Sequence, residues 1–277
     1  MRERDYQPLT NKIKYKINYL IKKVFFKFNL ILNKYYDSTK KLVDQFLIKI
    51  KIIDSGHKLI RIGTDLDGGY LIPDILDQIE YCFSPGVGNT SSFEDHLSKF
   101  KIQSFLADGT INYNGKHNFI KKNLNSFNDE NNITLQTWVN DKIKDKSNDK
   151  LLLQMDIEGS EIEVLYESDI NFLDRFKCII IEFHHFTEII NLLSLKIYSD
   201  IFNKILKTHY ICHIHPNNAG GKMFINGIDI PNILEITFIN KKVVKYVKKI
   251  EYNLPHPLDK NNVQNHRPVE CPKLFYK

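Results

Sequence analysis

The residues best suited to chemistry lie in the stretch 151–165. The run Leu151–Met155 ends in Asp156, and Glu158 follows two positions later. The run is typical of a strand buried on both faces, and the segment after Gly159 has apolar residues at helical spacing. Because ligands bind beyond the carboxyl ends of strands in an open α/β sheet, both acids are predicted to face a binding site. Acids at the start of a helix also complement its dipole and cap its free amides, so a structural role stays open.

A second candidate is the glycine turn at 86–88, which links a predicted strand to a predicted helix. Gly86 and Gly88 would let a ligand approach the backbone closely, and the helix start offers free amide groups. Ser91 stands where the dinucleotide fingerprint has its third glycine, which favours a cofactor without a pyrophosphate. Asp108 ends the next predicted strand about twenty residues later, where an acid can hydrogen-bond ribose hydroxyls. A tight strand–helix turn and an Asp–Gly turn are the structural alternatives.

Imidazole groups follow two further predicted strands. Glu182 and His184 end one of these strands. His213 and His215 end the other, and because side chains alternate along a strand, the members of each pair share a face. A histidine that titrates near neutral pH is a natural general base for a hydroxyl, and Asp156 is a further candidate for this role. Carboxylates and imidazoles together could instead hold a divalent metal, for which the candidate ligands are Asp156, Glu182 and His184.

The positive charge of the chain is concentrated in its first fifty residues. They hold twelve Lys or Arg and four acids, a net charge of +8, whereas the whole chain of 277 residues carries +6. The remaining residues are therefore slightly acidic, and the basic balance says little about the main domain. A hydrophobic content of 42% and a charged content of 26% are typical of a globular protein, and the length suits one α/β domain with extensions.

Residues 1–53 are predicted to form a basic, amphipathic helical arm rich in Ile, Leu, Phe, Tyr and Lys. Such an arm could contact a membrane surface or a partner, or it could pack on the domain with a solvated Lys face. Its lysines exclude a bilayer span, and no small-residue cleavage site marks a signal peptide. Few arginines and no recognition signature argue against nucleic acid as a partner. Four cysteines without metal-ligand spacing predict a reducing compartment.

From residue 79 onward, predicted strands alternate with predicted helices, which is typical of a parallel, doubly wound sheet. The last strand follows Pro231 too closely for a crossover helix, so it is predicted to run antiparallel. The strands are predicted at 79–83, 102–107, 133–135, 151–155, 178–183, 210–214 and 233–239. The helices are predicted at 91–100, 116–124, 136–144, 160–166 and 188–207.

Upstream of this pattern, the turn residues 64–69 lie between apolar runs at 59–62 and 70–73, as in a β-hairpin. This hairpin is expected to be an accessory element at the edge of the main fold. The polar, Pro-rich segment after Val247 is expected to have little regular structure. The predicted divisions of the chain are the arm at 1–53, the main domain at 54–247 and a C-terminal extension at 248–277.

Several of these motifs resemble the FkbM-like methyltransferases, which transfer methyl groups from S-adenosylmethionine, often to hydroxyls of sugars, polyketides or surface glycans. The most specific is the Asp-x-Glu-Gly-x-Glu block at 156–161. The resemblance extends over roughly residues 57–240 and implies a Rossmann-like class I methyltransferase fold, in which a mostly parallel doubly wound sheet has an antiparallel last strand. The other matching motifs are Gly86-Val87-Gly88, Asp108, Ile133-Thr134-Leu135, Ile181-Glu182-Phe183-His184 and the stretch 213–218.

The resemblance also implies roles for single residues. Asp108 would bind the ribose of the cofactor, and Asp156 and Glu158 would lie beside its sulfonium. The implied cofactor-binding residues are Gly86, Gly88, Asn89, Asp108, Asp156 and Glu158. The candidate catalytic residues, one of which would take the proton of the acceptor hydroxyl, are Asp156, His184, His213 and His215. The candidate substrate-binding residues are Arg61, Tyr70 and Asn217.

The resemblance therefore implies an O-methyltransferase that acts on a hydroxyl of a saccharide or glycan precursor. The expected location is the cytoplasm, with peripheral membrane contact as an option for the arm. S-adenosylmethionine is the expected cofactor, and a divalent metal is an open addition. One alternative is a metal-dependent sugar-modifying enzyme, which metal-dependent activity would favour. Another is a non-catalytic methyltransferase-like binding module, which an intact fold without cofactor binding would favour. The acceptor and the oligomeric state do not follow from the sequence.

Overall fold

The computed structural model describes residues 37–88, 90–225 and 227–276. Most of the predicted arm, residues 1–36, lies outside the described residues, as does the predicted cofactor residue Asn89. Within the described part, no helix has both the length and the apolar character needed to cross a membrane. The four cysteines are all buried as free thiols.

The described chain is a mixed α/β protein built around one large sheet. Its α-helices are α1 (Asp37–Lys49), α2 (Ser92–Ser98), α3 (Leu135–Lys142), α4 (Glu161–Glu167), α5 (Ile170–Leu173) and α6 (Leu192–Thr208). Its strands are β1 (Ile53–Asp54), β2 (Leu59–Ile62), β3 (Tyr70–Pro73), β4 (Tyr81–Pro85), β5 (Gln103–Ala107), β6 (Asn118–Ile120), β7 (Asn123–Leu124), β8 (Asn132–Ile133), β9 (Leu151–Met155), β10 (Phe176–Phe183), β11 (His209–Pro216), β12 (Lys222–Ile225), β13 (Ile228–Pro231), β14 (Leu234–Asn240) and β15 (Lys248–Lys249). Short 3-10 helices lie at Leu76–Gln78, Phe186–Ile190, Lys241–Val243 and Lys273–Phe275.

Seven strands form the central sheet, in the order β6-β5-β4-β9-β10-β14-β11. Strands β6, β5, β4, β9 and β10 pair in parallel, whereas β14 pairs antiparallel with both β10 and β11. The mostly parallel sheet and its antiparallel last strand are thereby confirmed. Counted along the chain, the strand order is 3-2-1-4-5-7-6, so it reverses between β4 and β9. Such a reversal leaves a crevice at the carboxyl ends of the two central strands.

Two hydrophobic layers cover the opposite faces of the sheet, because side chains alternate along each strand. One layer contains Leu153 of β9 together with α1, α3, α4, α5 and α6. The other contains Leu152 of β9 together with α2 and the β2–β3 hairpin. On this second face, buried polar side chains replace apolar ones near the carboxyl ends, including Ser84, Gln154 and Glu182. Buried polar groups are the informative exceptions in a core, and here they mark where a site is positioned.

The predicted β-hairpin is present, with Ile62 opposite Tyr70, but it covers the second face of the sheet and not its edge. The Thr237 hydroxyl of β14 donates to the Leu71 carbonyl of the hairpin at 2.7 Å. An isolated two-stranded hairpin is marginal in water, and the broad sheet face offers it more apolar contact than an edge does. The hairpin tip, residues 64–69, thereby reaches the crevice between β4 and β9.

One predicted helix is wrong. Residues 116–124 form the short strands β6 and β7 in place of a helix. The segment has a weak helical pattern that includes two asparagines, which are poor helix formers. Pairing of β6 with β5 supplies ladder hydrogen bonds that a surface helix would not, so the sheet gains an edge strand.

Two predicted boundaries are shifted by helix caps. The strand predicted at 133–135 ends early because the Thr134 hydroxyl accepts a hydrogen bond from the Thr137 amide and starts α3. The helix predicted at 188–207 starts late because the Asn191 side chain accepts from the amide two residues on and starts α6. Side-chain caps of this kind compete with the apolar pattern from which the boundaries are predicted.

Helix α1, the described end of the predicted arm, packs into the main core. Val43, Phe46 and Leu47 are buried, whereas Lys40 and Lys41 are exposed. The Phe46 ring lies 5.3 Å from the Phe202 ring of α6 in an edge-on arrangement, measured between ring centroids. This helix is therefore part of the folded domain, with its lysines on the solvent side.

Replacing Phe46 by alanine is expected to lower the free energy of unfolding by about 3–5 kcal/mol, since the ring is 3% exposed and its loss leaves a cavity. The matched control is Ile48→Ala on the same helix, where the side chain is 48% exposed and the expected loss is below about 1 kcal/mol. Urea unfolding measures both values. Equal, small losses would show that α1 does not dock on the core.

Candidate active site

The site is built where the backbone segments after β4 and β9 cross. The Gly86 amide donates to the Ala107 carbonyl at 2.9 Å, and the Asp156 amide donates to the Pro85 carbonyl at 3.2 Å. Gly86 has a φ of +81°, and a Cβ at this position would lie 1.5 Å from the Asp156 carbonyl oxygen. Only glycine fits such a crossing, so this residue fixes the distance between the two turns.

Asp108 ties the glycine turn to the end of β5. One of its carboxylate oxygens accepts from the Gly88 amide at 3.1 Å. The other accepts from the amide and the hydroxyl of Thr110, at 2.8 Å and 2.6 Å. A carboxylate has about four acceptor positions, so these three bonds leave capacity for a ligand. Asp108 therefore both shapes the turn and faces the space in front of it.

Two adjoining cavities open at this crossing. They share four lining residues, Gly86, Gly88, Asp156 and Glu158. The β5-side cavity has a volume of about 360 Å³ and is lined also by Ala107, Asp108, Thr110, Asn123, Leu124, Asn125, Asn132, Ile157 and Ser160. The hairpin-side cavity has a volume of about 220 Å³ and is lined also by Asp67, Gly68, Tyr70, Val87, Thr90, Ser92, Phe93, Glu94 and Gln154. The shared residues thus form the boundary between two binding spaces.

Glu161 holds the turn that carries the shared acids. Its side chain is fully buried, and one oxygen accepts from the Ile157 amide at 3.0 Å and from the Gly159 amide at 3.2 Å. The same oxygen is hydrogen-bonded to His184 Nδ1 at 3.0 Å. Glu158, within this turn, has a φ of +55°, a left-handed conformation that costs energy for a residue other than glycine. The buried carboxylate therefore stabilises a strained turn and orients an imidazole beneath it.

The His184 imidazole is surrounded by carboxylates. Its Nε2 lies 3.3 Å from Glu158 Oε2, 3.9 Å from Asp156 Oδ1 and 4.0 Å from Glu182 Oε1. Burial opposes protonation of His184, but the hydrogen bond with Glu161 and the nearby negative charges outweigh it and raise the pKa. The structure thus brings His184 to Asp156, as predicted from the strand ends. The nearby carboxylates also favour the protonated form of this imidazole.

Asp156 lies at the boundary of the two cavities, and its pKa is raised above the usual value. Burial raises the pKa of Asp156 to about 7; Glu158 and Asp67 add to the rise, and the imidazole beside it partly offsets it. Its Oδ1 has no hydrogen-bond partner among the described residues. A carboxylate with a pKa near neutral and a free oxygen has the properties expected of a general base.

A possible metal cluster differs from the predicted set. Ligand atoms of Asp156, Glu161 and His184 all lie within 4.8 Å of one another. Glu161 is the third member of this cluster in place of the predicted Glu182, whose Oε1 accepts a hydrogen bond from Asn217 Nδ2 at 2.7 Å. Carboxylates and an imidazole suit a divalent cation, but a protonated His184 cannot be a ligand. The residues present therefore fit an internal ion pair at least as well as a metal.

A row of polar residues crosses the sheet beside the hairpin-side cavity. Glu182 of β10 lies opposite Glu235 of β14, which lies opposite His215 of β11. Burial raises the pKa of both glutamates. Asn262 of the C-terminal extension bridges this row to the hairpin, because its Nδ2 donates to Glu235 Oε1 at 2.7 Å and to Asp67 Oδ1 at 3.0 Å. The extension therefore joins the hairpin tip to the sheet.

The other two candidate catalytic histidines belong to a separate cluster. His213 Nε2 is hydrogen-bonded to Asp259 Oδ1 at 2.9 Å, and His215 Nδ1 lies 3.7 Å from the same oxygen. Although burial opposes ionisation of Asp259, the two imidazoles hold its pKa well below the usual range. Neither histidine is among the residues that line the two cavities, whereas Asp156 lines both.

The three candidate substrate-binding residues have different positions. Tyr70 lines the hairpin-side cavity, and its hydroxyl accepts from Gln154 Nε2 at 3.3 Å. Arg61 donates to the carbonyls of the hairpin turn, at 2.7 Å to Thr64 and at 3.1 Å to Leu66, and so shapes the tip. Asn217 positions the Glu182 carboxylate. Of the three, only Tyr70 therefore lines one of the two cavities. Arg61 and Asn217 act through the residues that they hold in place.

Asp259, Asn262 and Glu161 are site residues that the sequence did not single out individually. Glu161 is visible as the last acid of the Asp-x-Glu-Gly-x-Glu block, but its buried hydrogen bonds are not. Asp259 and Asn262 follow a polar, Pro-rich stretch without periodic pattern. A bond such as that between Asn262 and Asp67 spans 195 positions, and nothing in the local sequence signals it.

The crevice at the strand reversal and the seven-stranded, mostly parallel sheet are compatible with a methyltransferase-like fold. Residues 78–212 match the family model described as the methyltransferase FkbM domain. This stretch is similar to the FkbM methyltransferases, and the resemblance seen in the sequence is confirmed over it. The β2–β3 hairpin, β14 and the C-terminal extension lie outside the matched stretch. No curated protein matches the chain.

Replacing Gly86 by alanine is expected to cost more than about 3 kcal/mol of unfolding free energy, because the new Cβ would force the two turns apart. The matched control is Gly88→Ala, two residues away. Gly88 also has a positive φ, +57°, but a Cβ there would meet no described atom within 4 Å, so the expected loss is only about 1–2 kcal/mol. Denaturant unfolding distinguishes the two; similar losses would contradict the crossing geometry.

Proposed function

We propose that this protein is an S-adenosylmethionine-dependent O-methyltransferase with a Rossmann-like class I fold, and that its acceptor is a hydroxyl of a saccharide or glycan precursor. The coarser statement, a methyltransferase family, comes from the FkbM match. The observation that carries the finer proposal is the pair of adjoining cavities that share Gly86, Gly88, Asp156 and Glu158. A transfer between two substrates needs two binding spaces that meet at one point, with a group there that can take a proton.

The β5-side cavity is the proposed cofactor site. Asp108 stands at the end of the second parallel strand, where ribose hydroxyls are bound in related sheets, and it retains acceptor capacity. When bound, S-adenosylmethionine supplies the methyl group as part of a positively charged sulfonium. Asp156 and Glu158 at the boundary provide negative charge that would stabilise this cation. The absence of a GxGxxG turn is consistent with a cofactor that lacks a pyrophosphate.

The hairpin-side cavity is the proposed acceptor site, and Asp156 is the proposed general base. A pKa of about 7 lets its carboxylate be ionised and still basic enough to accept the hydroxyl proton at neutral pH. His184, held by Glu161, supplies a positive charge near Asp156. His213 and His215 are engaged by Asp259, so a positioning role suits them better than proton transfer.

Metal assistance is the second candidate, favoured by the cluster of Asp156, Glu161 and His184. A divalent cation there would displace the proton from His184 and make its binding depend on pH. Calorimetric titration with S-adenosylhomocysteine, with and without magnesium, separates the two forms of the proposal. Micromolar binding that magnesium does not change supports the metal-free form, and magnesium-dependent binding supports the other.

The variant Asp108→Ala is expected to weaken S-adenosylhomocysteine binding by about tenfold or more, since it removes a charged hydrogen-bond acceptor from the β5-side cavity. Asp141→Ala, an exposed acid on α3, is the control and should leave the affinity unchanged. Both variants are first checked for a cooperative unfolding transition. An unchanged affinity of a folded Asp108→Ala protein would exclude the ribose assignment.

Methyl transfer to a saccharide acceptor is expected to rise with pH and to reach half of its maximum near pH 7, because the ionised form of Asp156 is the active one. Asp156→Asn should lose this pH-dependent activity and still bind S-adenosylhomocysteine. The measurement is transfer of labelled methyl groups across a pH series. If the asparagine variant keeps the wild-type rate, Asp156 is a structural cap and another group is the base.

A further inference from the structure

We infer that the hairpin-side cavity selects acceptors that carry no negative charge near the reacting hydroxyl, and that it prefers an amino sugar to a neutral sugar. This inference rests on the proposed function and extends it to the charge class of the acceptor. The observations that carry it are the charges that line the cavity and the positions of the nearest cations.

The described residues that line the hairpin-side cavity include several acids. Asp67, Glu94, Asp156 and Glu158 line it, and no Lys, Arg or His is found among the described lining residues. The other polar groups of the wall are neutral hydroxyls and an amide, including Tyr70 and Gln154. Such a wall can hydrogen-bond a polyhydroxylated ring, but it offers no cationic donor to a phosphate or a carboxylate.

Two basic residues beside the site, Arg61 and His184, are already engaged by other groups. Two guanidinium nitrogens of Arg61 donate to backbone carbonyls of the hairpin turn, at 2.7 Å and 3.1 Å. The imidazole of His184 is surrounded by acids, among them Glu158 at 3.3 Å and Glu161 at 3.0 Å. Neither residue lines the cavity. An anionic acceptor would therefore enter a negative field without a partner.

More acids lie behind the wall. Glu182 and Glu235 are buried opposite each other on neighbouring strands, and Asn262 holds Glu235 and Asp67 together. Protonation of some of these acids would lower the negative charge but would not create a cation. Whether these acids are protonated or ionised, the cavity can accept a hydroxyl or an ammonium group. Only the ionised acids add electrostatic attraction for the ammonium group.

The sulfonium of the cofactor does not cancel this field. Asp156 and Glu158, at the boundary, are the acids beside the proposed cofactor site. Asp67 and Glu94 line only the hairpin-side cavity, on the far side of that boundary. These acids attract a positive charge on the ligand and repel a negative one, and solvent screens the charge of Asp67 more than that of Glu94 because Asp67 is exposed.

The test uses the full chain saturated with S-adenosylhomocysteine, so that cofactor binding is established before any acceptor is added. Glucosamine, glucose and glucose 6-phosphate, with the matching galactose series, are then titrated and binding is followed by ligand-observed NMR. The amino sugar is expected to bind most tightly, the neutral sugar less tightly and the sugar phosphate most weakly. The affinities of the amino sugar and the sugar phosphate are expected to differ by at least about tenfold. Equal or tighter binding of the phosphate overturns the inference. So does a lack of binding by every sugar when S-adenosylhomocysteine binds, an outcome that leaves the cofactor assignment intact.

Charge-neutral variants link the selectivity to named residues. Asp67→Asn is expected to reduce the ratio of amine to phosphate affinity by about threefold, because it removes one exposed negative charge from the cavity wall. The amide can still face Asn262, and S-adenosylhomocysteine affinity should stay as in wild type. The matched control is Asp141→Asn, which changes an exposed acid of α3 that lines neither cavity. If the Asp67→Asn protein still binds S-adenosylhomocysteine and its affinity ratio is unchanged, the inference is overturned. If the wild-type protein does not bind S-adenosylhomocysteine, the proposed function itself is overturned.

Discussion

The buried carboxylate of Glu161 is the contact on which the site depends. One oxygen joins three groups, the amides of Ile157 and Gly159 and the Nδ1 atom of His184. It compensates for the left-handed backbone of Glu158 and sets the position of the imidazole. A carboxylate without solvent exposure is stable only when hydrogen-bonded in this way, so the turn, the histidine and the acid require one another.

The same arrangement explains why the chain tolerates so many acids in one place. Burial raises the pKa of Asp156, Glu94, Glu182 and Glu235, so their ionisation is costly to the folded protein. The sign follows from the direction of the shifts: the folded state binds protons more tightly, and the contribution of these groups to stability falls as the pH rises through their folded pKa. The two large apolar layers around the sheet compensate for this cost. The buried acids of the crevice are thus supported by a core on either side of the sheet.

Much of this architecture is visible in the sequence, and the rest depends on long-range contacts. Strand β9 and its terminal acid follow from a continuous apolar run, and the antiparallel last strand follows from the short connection before it. Asp108 and Gly86 follow from spacing, although the near-contact that requires Gly86 does not. The helix predicted at 116–124 is wrong because sheet pairing overrides a weak local pattern. The bridge made by Asn262 could not be predicted, since its partners are brought together only by the completed fold.

The bridge between Asn262 and the hairpin has a consequence for the order in which the protein is made. The hairpin and the matched domain leave the ribosome before the segment that joins them, since synthesis runs from the amino to the carboxyl end. Phe275, near the end of the described chain, is also fully buried in the main core, and its carbonyl accepts from the amide of Ile52. Every described residue that lines the two cavities precedes residue 161, whereas Asn262 is translated about a hundred residues later. A chain interrupted before Asn262 would therefore hold all the lining residues of both cavities and still lack the bonds that join Asp67 to Glu235.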